Sequence, residues 1–192
     1  MPWMPGRDFT LRDGHGDPEL SPAGLEQADK VAERLATEGV DAIYVTTLRR
    51  TQQTAEPLAR RTGIEPRVEA DLREVFLGEW EGGLLRQMAA DQDPLFLRVM
   101  REQRWELVPG AEPRTDFGGR LRRGVERIAA EHAGGRVLVF SHGAAIGEIL
   151  AQATGSEPFA FVGADNTSIS RLVVAEGRWV LRGYNDTAHL AG

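Results

Sequence analysis

Two short apolar runs limit the folds open to this chain. Ala42-Ile43-Tyr44-Val45 and Val137-Leu138-Val139-Phe140 are rich in strand formers and leave neither face polar enough for water. Helical patterns surround them. Ser21 is a good N-cap with Pro22 at the first helical position. Leu25, Ala28, Val31, Ala32 and Leu35 then repeat at helical spacing, up to a C′ residue at Gly39. Leu48 to Arg61 reads as a second helix, which Pro57 must kink or close in its first turns. Thr115 to His132 reads as a third and Ala144 to Ala153 as a fourth. Strands alternating with helices require a parallel sheet covered on both faces. The expected architecture is α/β: a three-layer α/β/α sandwich with a mainly parallel sheet. It closes on a C-terminal antiparallel hairpin, 169–175 with 178–184, turning at Glu176-Gly177. Residues 84–114, interrupted at Asp93-Pro94, read as a small helical insert or cap within one domain spanning 1–192.

Composition narrows function more than fold. There are 23 basic and 29 acidic residues, a net charge of −6, which argues against bulk nucleic-acid binding. The absence of cysteine excludes disulfides, thiol catalysis and zinc–thiolate sites. No apolar run approaches the roughly 18 residues of a membrane span, and Met1 to Asp8 lacks the apolar stretch of a signal peptide. A cytoplasmic protein with no membrane or nucleic-acid partner, no metal and no cofactor is expected; oligomeric state is not legible. Lys30 is the only lysine, so the basic set is almost all arginine, the planar bidentate ligand of oxyanions.

In open α/β sheets ligands sit beyond the carboxyl ends of the strands. The first run ends in Thr46-Thr47-Leu48-Arg49-Arg50-Thr51, which puts an arginine in the first turn of a helix, where free N–H groups and the dipole favour an anion. The second ends in Ser141-His142-Gly143, with another helix start behind it. Together they describe a phosphate site. Taken singly, Arg50 also fits a solvated helix arginine and His142 a satisfied core histidine. Asp13, His15 and Asp17, alternating through glycines, read as a turn-forming polar loop rather than a metal site or substitute nucleophile. Trp80, Trp105 and Trp179 read as packing aromatics, and His132 as a surface helix residue.

The same stretches carry a family resemblance. Thr46 to Ala55 resembles the Ser-x-Leu-x-Arg-[AT]-x-x-Thr-Ala segment of the histidine phosphatase (phosphoglycerate mutase-like) superfamily. Leu72 to Gly82 resembles its Leu-x-Glu…Gly-x-x-Glu-Gly segment, Val137 to Gly143 its strand ending in Ser-His-Gly, and Asp17 to Ala28 the entry to its first helix. Asn185 to Leu190 resembles a frequent tail. The resemblance implies a metal-independent phosphomonoesterase acting on a small phosphorylated metabolite through a phosphohistidine, with phosphoglycerate mutase as an alternative. It implies that Arg50 and His142 hold the phosphoryl oxygens and that Glu74 protonates the leaving oxygen and then activates water. It further implies that the Gly143 N–H donates to the oxyanion and that Thr167 adds a phosphate contact.

One element of the pattern is absent. The sequence holds no Arg-His-Gly or Arg-His-Ala, the motif that supplies the nucleophile; Arg12-Asp13-Gly14 lies too close to Leu20 to replace it. The chain is therefore expected to start inside the family's first loop, with the first strand and its histidine upstream, and to be nearly inactive as it stands. A non-catalytic homologue that only binds phosphate esters is the alternative.

Overall fold

The structure is a computed structural model that describes residues 11–191. A minimal hairpin, β1 (Leu11–Arg12) and β2 (His15–Gly16), leads into α1 (Pro22–Leu35). Then follow β3 (Ala42–Val45), α2 (Arg49–Thr62) and β4 (Arg67–Val68). The helices α3 (Leu84–Ala90), α4 (Pro94–Glu102) and α5 (Arg114–Glu131) precede β5 (Val137–Phe140) and α6 (Gly143–Thr154). The hairpin β6 (Ile169–Ala175) and β7 (Arg178–Asp186) comes last.

The parallel sheet has the order β4-β3-β5, with Ala42 opposite Val137 and Val45 opposite Phe140. Its central strand divides the core in two. Ile43 and Val45 join Val31, Ala32 and Leu35 of α1 and Ala55 and Leu58 of α2. Ala42 and Tyr44 join the other cluster, with Phe117, Leu121 and Ile128 of α5 and Ala144 and Ala145 of α6. Period-2 alternation on a strand buried on both faces thus produces the three layers. The stretch 84–114 packs Val99, Trp105 and Val108 into this second cluster, beside Trp80. No helix among the described residues is long and apolar enough to cross a membrane.

Local signals held in most places. The Ser21 hydroxyl accepts the Gly24 N–H (3.1 Å), and Asp93 caps α4 through the N–H groups of Leu95 and Phe96. The β6–β7 turn places Glu176 and Gly177 at φ 51° and 73°, the pair of positive values that a tight hairpin with native twist requires. Three expectations need correction. α1 ends at Leu35 with Ala36 as its C-cap, so Gly39 turns the chain only after the helix has stopped. α2 runs through Pro57 to a left-handed Gly63, so the proline does not close the helix after its first turns. β5, the most apolar run, is less buried than β3: all four β3 residues are buried, whereas Val139 is 40% exposed. Among the described residues β5 has a strand neighbour on one side only.

Candidate active site

β3 and β5 end at the same edge of the sheet, and their carboxyl ends carry Thr46 and His142. His142 is buried, its Nε2 2.9 Å from Thr46 Oγ1. Burial, with the charges of Arg50, His15 and Arg120, holds its pKa well below the usual histidine value, so the ring is neutral. Arg50, in the first turn of α2, donates from Nη1 to the Gly16 carbonyl (2.9 Å). Burial lowers its pKa while Glu74, Asp17 and Glu81 favour its charge; a guanidinium so placed remains cationic.

Glu74 faces this pair from the stretch after the Ala70–Leu72 turn. Its carboxylate accepts the N–H groups of Val75 (3.0 Å), Ala144 (3.2 Å) and Ala145 (3.1 Å), the last two from the first turn of α6. Burial raises its pKa, although Arg50 and the three N–H donors act to lower it. A carboxyl group with a raised pKa beside a buried guanidinium can hold a proton and release it, as a general acid–base must. Gly143 opens α6, and a Cβ added there would meet nothing within 4 Å, so a ligand can approach that turn closely.

A match over most of the chain decides the family. The model of the histidine phosphatase superfamily (branch 1) matches residues 7–187. The chain belongs to that superfamily. It is 29% identical over 184 residues to a probable phosphoglycerate mutase GpmB of Yersinia enterocolitica, covering 92% of this chain and 86% of that one. Among solved structures it resembles a mycobacterial glucosyl-3-phosphoglycerate phosphatase in complex with VO3, with a TM-score of 0.78, 31% identity and coverage of 91% and 90%. It also shares the fold of a phosphoglycerate mutase from Bacillus anthracis, with a TM-score of 0.79, 22% identity and coverage of 94% and 87%.

At the carboxyl edge of the sheet the structure brings together four of the residues expected from the sequence, Arg50, Glu74, His142 and Gly143. Thr167, at φ 59°, donates its hydroxyl to the neighbouring Asn166 carbonyl (2.7 Å), and among the described residues no hydrogen bond joins it to the other four. The loop 13–17 turns at Asp13 and Gly14, at φ 51° and 83°, and buries His15 and Asp17. Asp17 Oδ1 accepts the Arg49 N–H (2.7 Å), supplying the cap that Leu48 lacks at the start of α2. The His15 ring lies edge-on to Phe76, with Nδ1 3.6 Å from Glu81. Glu81 also accepts the N–H groups of Gly16 (2.8 Å) and Leu77 (3.0 Å). At Gly16 the backbone of Gly82 passes so close that a Cβ would sit 3.2 Å from its nitrogen.

Arg120 of α5 was equally hidden from sequence reasoning. Its Nη atoms donate to the carbonyls of Asp71, Arg73 and Glu74 at 2.7–2.9 Å, and Glu112 neutralises it. That clamp sets the backbone from which Glu74 projects. His132 is half-buried, its Nε2 3.1 Å from the Tyr44 hydroxyl, instead of lying free on the helix surface. Trp80 and Trp105 do pack in the core, and Trp179 lies under the Arg122 guanidinium.

Proposed function

We propose that this superfamily member is a metal-independent phosphomonoester hydrolase acting on a small phosphorylated metabolite through a phosphohistidine intermediate. Arg50 and His142 hold the phosphoryl oxygens, the Gly143 N–H adds an oxyanion donor, and Thr167 is a peripheral phosphate contact. Glu74 protonates the leaving oxygen, then takes a proton from the attacking water. The observation that carries this reading is the Glu74 carboxyl group: desolvated, raised in pKa, and placed between the Arg50 charge and the first turn of α6. The phosphatase similarity supports hydrolysis over mutase chemistry.

The attacking imidazole is proposed to come from outside the 192 residues, since none of the four histidines stands in an Arg-His-Gly or Arg-His-Ala motif. The same lack of the motif favours a second reading, a homologue that binds phosphate esters without hydrolysing them. Assay of p-nitrophenyl phosphate separates the two. The 192-residue chain should show negligible turnover, and extending it by the codons that precede Met1 should restore turnover. Extension without any gain leaves the binding-only reading. Turnover by the 192-residue chain that His15→Ala abolishes overturns the external nucleophile.

A further inference from the structure

The protons around His142 decide which of its two ring nitrogens is left for a ligand. The Thr51 hydroxyl has one proton and donates it to the Leu48 carbonyl (2.9 Å), while its oxygen accepts the Thr46 N–H (3.1 Å). Thr46 Oγ1 accepts the Leu48 N–H (3.2 Å), and lies 3.1 Å from Thr51 Oγ1 and 2.9 Å from His142 Nε2. Thr46 also has a single hydroxyl proton. Were it given to His142, the contact between the two threonine oxygens would contain no hydrogen, and two lone pairs would face each other in a buried place. Thr46 is 0% exposed and Thr51 4%, so solvent does not relieve that conflict. One assignment puts a hydrogen in every contact. Thr46 donates to Thr51, and His142 Nε2–H donates to Thr46.

We propose that Thr46, held in turn by Thr51, is a positioning residue that fixes His142 as the Nε2–H tautomer, leaving Nδ1 as the ring atom that meets a phosphoryl oxygen. A neutral ring in this state offers a lone pair at Nδ1, not a donor. It bonds a phosphoryl oxygen only through a proton lying between them. A monoanion brings that proton with it; a dianion requires one from solvent. This second step rests on the reading of His142 as a phosphate ligand, whereas the tautomer itself does not. The charged groups that bear on the ring are Arg50 of α2, Arg120 of α5 and His15 of β2, and all of them, like burial, oppose its protonation without ligand. The Glu74 carboxyl group accepts the N–H groups of Ala144 and Ala145, two and three residues after His142. The negative charge of an incoming phosphate reverses this balance at Nδ1.

Side-chain nitrogen NMR of histidine reads the tautomer directly. The ligand-free protein should show neutral His142 with its proton on Nε2; Thr46→Ser should keep that state and Thr46→Val should lose it. A wild-type proton on Nδ1, or a Thr46→Val spectrum like that of wild type, overturns the assignment. If Thr46→Val fails to fold, the wild-type and Thr46→Ser spectra decide. Inorganic phosphate should then protonate both nitrogens of His142. Calorimetry in mildly alkaline buffers of different ionisation enthalpy should find uptake of about one proton per site. Phosphate bound through Arg50 beside a neutral His142 overturns the second step. Phosphate that does not bind at all fails the proposed function, and the tautomer stands on the ligand-free spectrum.

Discussion

β3 and β5 lie side by side with the same length and direction, and each ends in one half of the site, yet they are held differently. β3 is walled by β4 and β5 and covered by helices on both faces. β5 pairs with β3 alone among the described residues, and leaves Val139 partly in water. The enclosed strand leads, through the buried Thr46 and Thr51, to a permanent cation at Arg50. The one-sided strand leads to a neutral ring at His142 and to the α6 turn whose N–H groups hold Glu74. Charge is thus delivered from the enclosed half and proton handling from the other.

The largest expected effect is on stability. Ile43→Ala should destabilise the protein by about 3 kcal/mol, because a fully enclosed side chain leaves a cavity. Val139→Ala, at a position already 40% exposed, should cost less than about 1 kcal/mol. Urea unfolding of both variants measures the contrast. Equal losses would break it, and would mean that β5 is covered in solution by something beyond residues 11–191.

The next effect is on ligand affinity. Arg50→Ala should weaken inorganic phosphate binding about 100-fold, the loss of a charge-assisted contact in a desolvated place. His142→Ala should weaken it only about 10-fold, since the cost of protonating the buried ring on binding offsets much of what its contact with phosphate contributes. Titration calorimetry at neutral pH reads both. A His142 loss as large as that of Arg50 would mean that the two halves share the charge.

The layers were legible because burial on both faces leaves a local mark: Ile43, Val45, Val31 and Leu35 announce themselves by spacing alone. Arg50, Glu74 and His142 were legible because each stands in a short motif at a strand or turn end. The contacts of Asp17, Arg120 and Glu81 were not. Asp17 caps a helix from 32 residues away, and Arg120 clamps carbonyls 46–49 residues before it. Such contacts follow no period and depend on where the fold brings two distant segments together. His15 looked like a turn residue for the same reason, because Phe76 and Glu81, which enclose it, are remote in sequence. The exposure of Val139 was hidden in a different way. Composition states what a strand prefers, while its neighbours decide how much of that preference is met.

The smallest effect separates the two halves by the sign of a slope. Glu74 has a folded-state pKa above the ordinary 4.5, so between those two values the native state holds a proton that the unfolded chain has lost. Stability contributed there falls as pH rises, by about 1.4 kcal/mol for each unit of separation, and levels off once the native carboxyl group ionises. His142 behaves oppositely. Its folded-state pKa lies below the ordinary 6.5, so between them the unfolded chain binds the extra proton and stability rises with pH until about 6.5. Glu74→Gln and His142→Gln, unfolded in urea across a pH series, isolate the two slopes by difference from wild type. The amide introduced by Glu74→Gln cannot accept all three N–H groups that the carboxylate does, but that loss does not titrate and shifts the whole curve equally. The diagnostic is therefore the slope: the stability of Glu74→Gln relative to wild type should grow as pH rises above 4.5. That of His142→Gln should grow as pH falls below 6.5. A flat difference for Glu74→Gln would show a carboxylate already ionised in the native state, and would remove the proton store on which the proposed acid–base role depends.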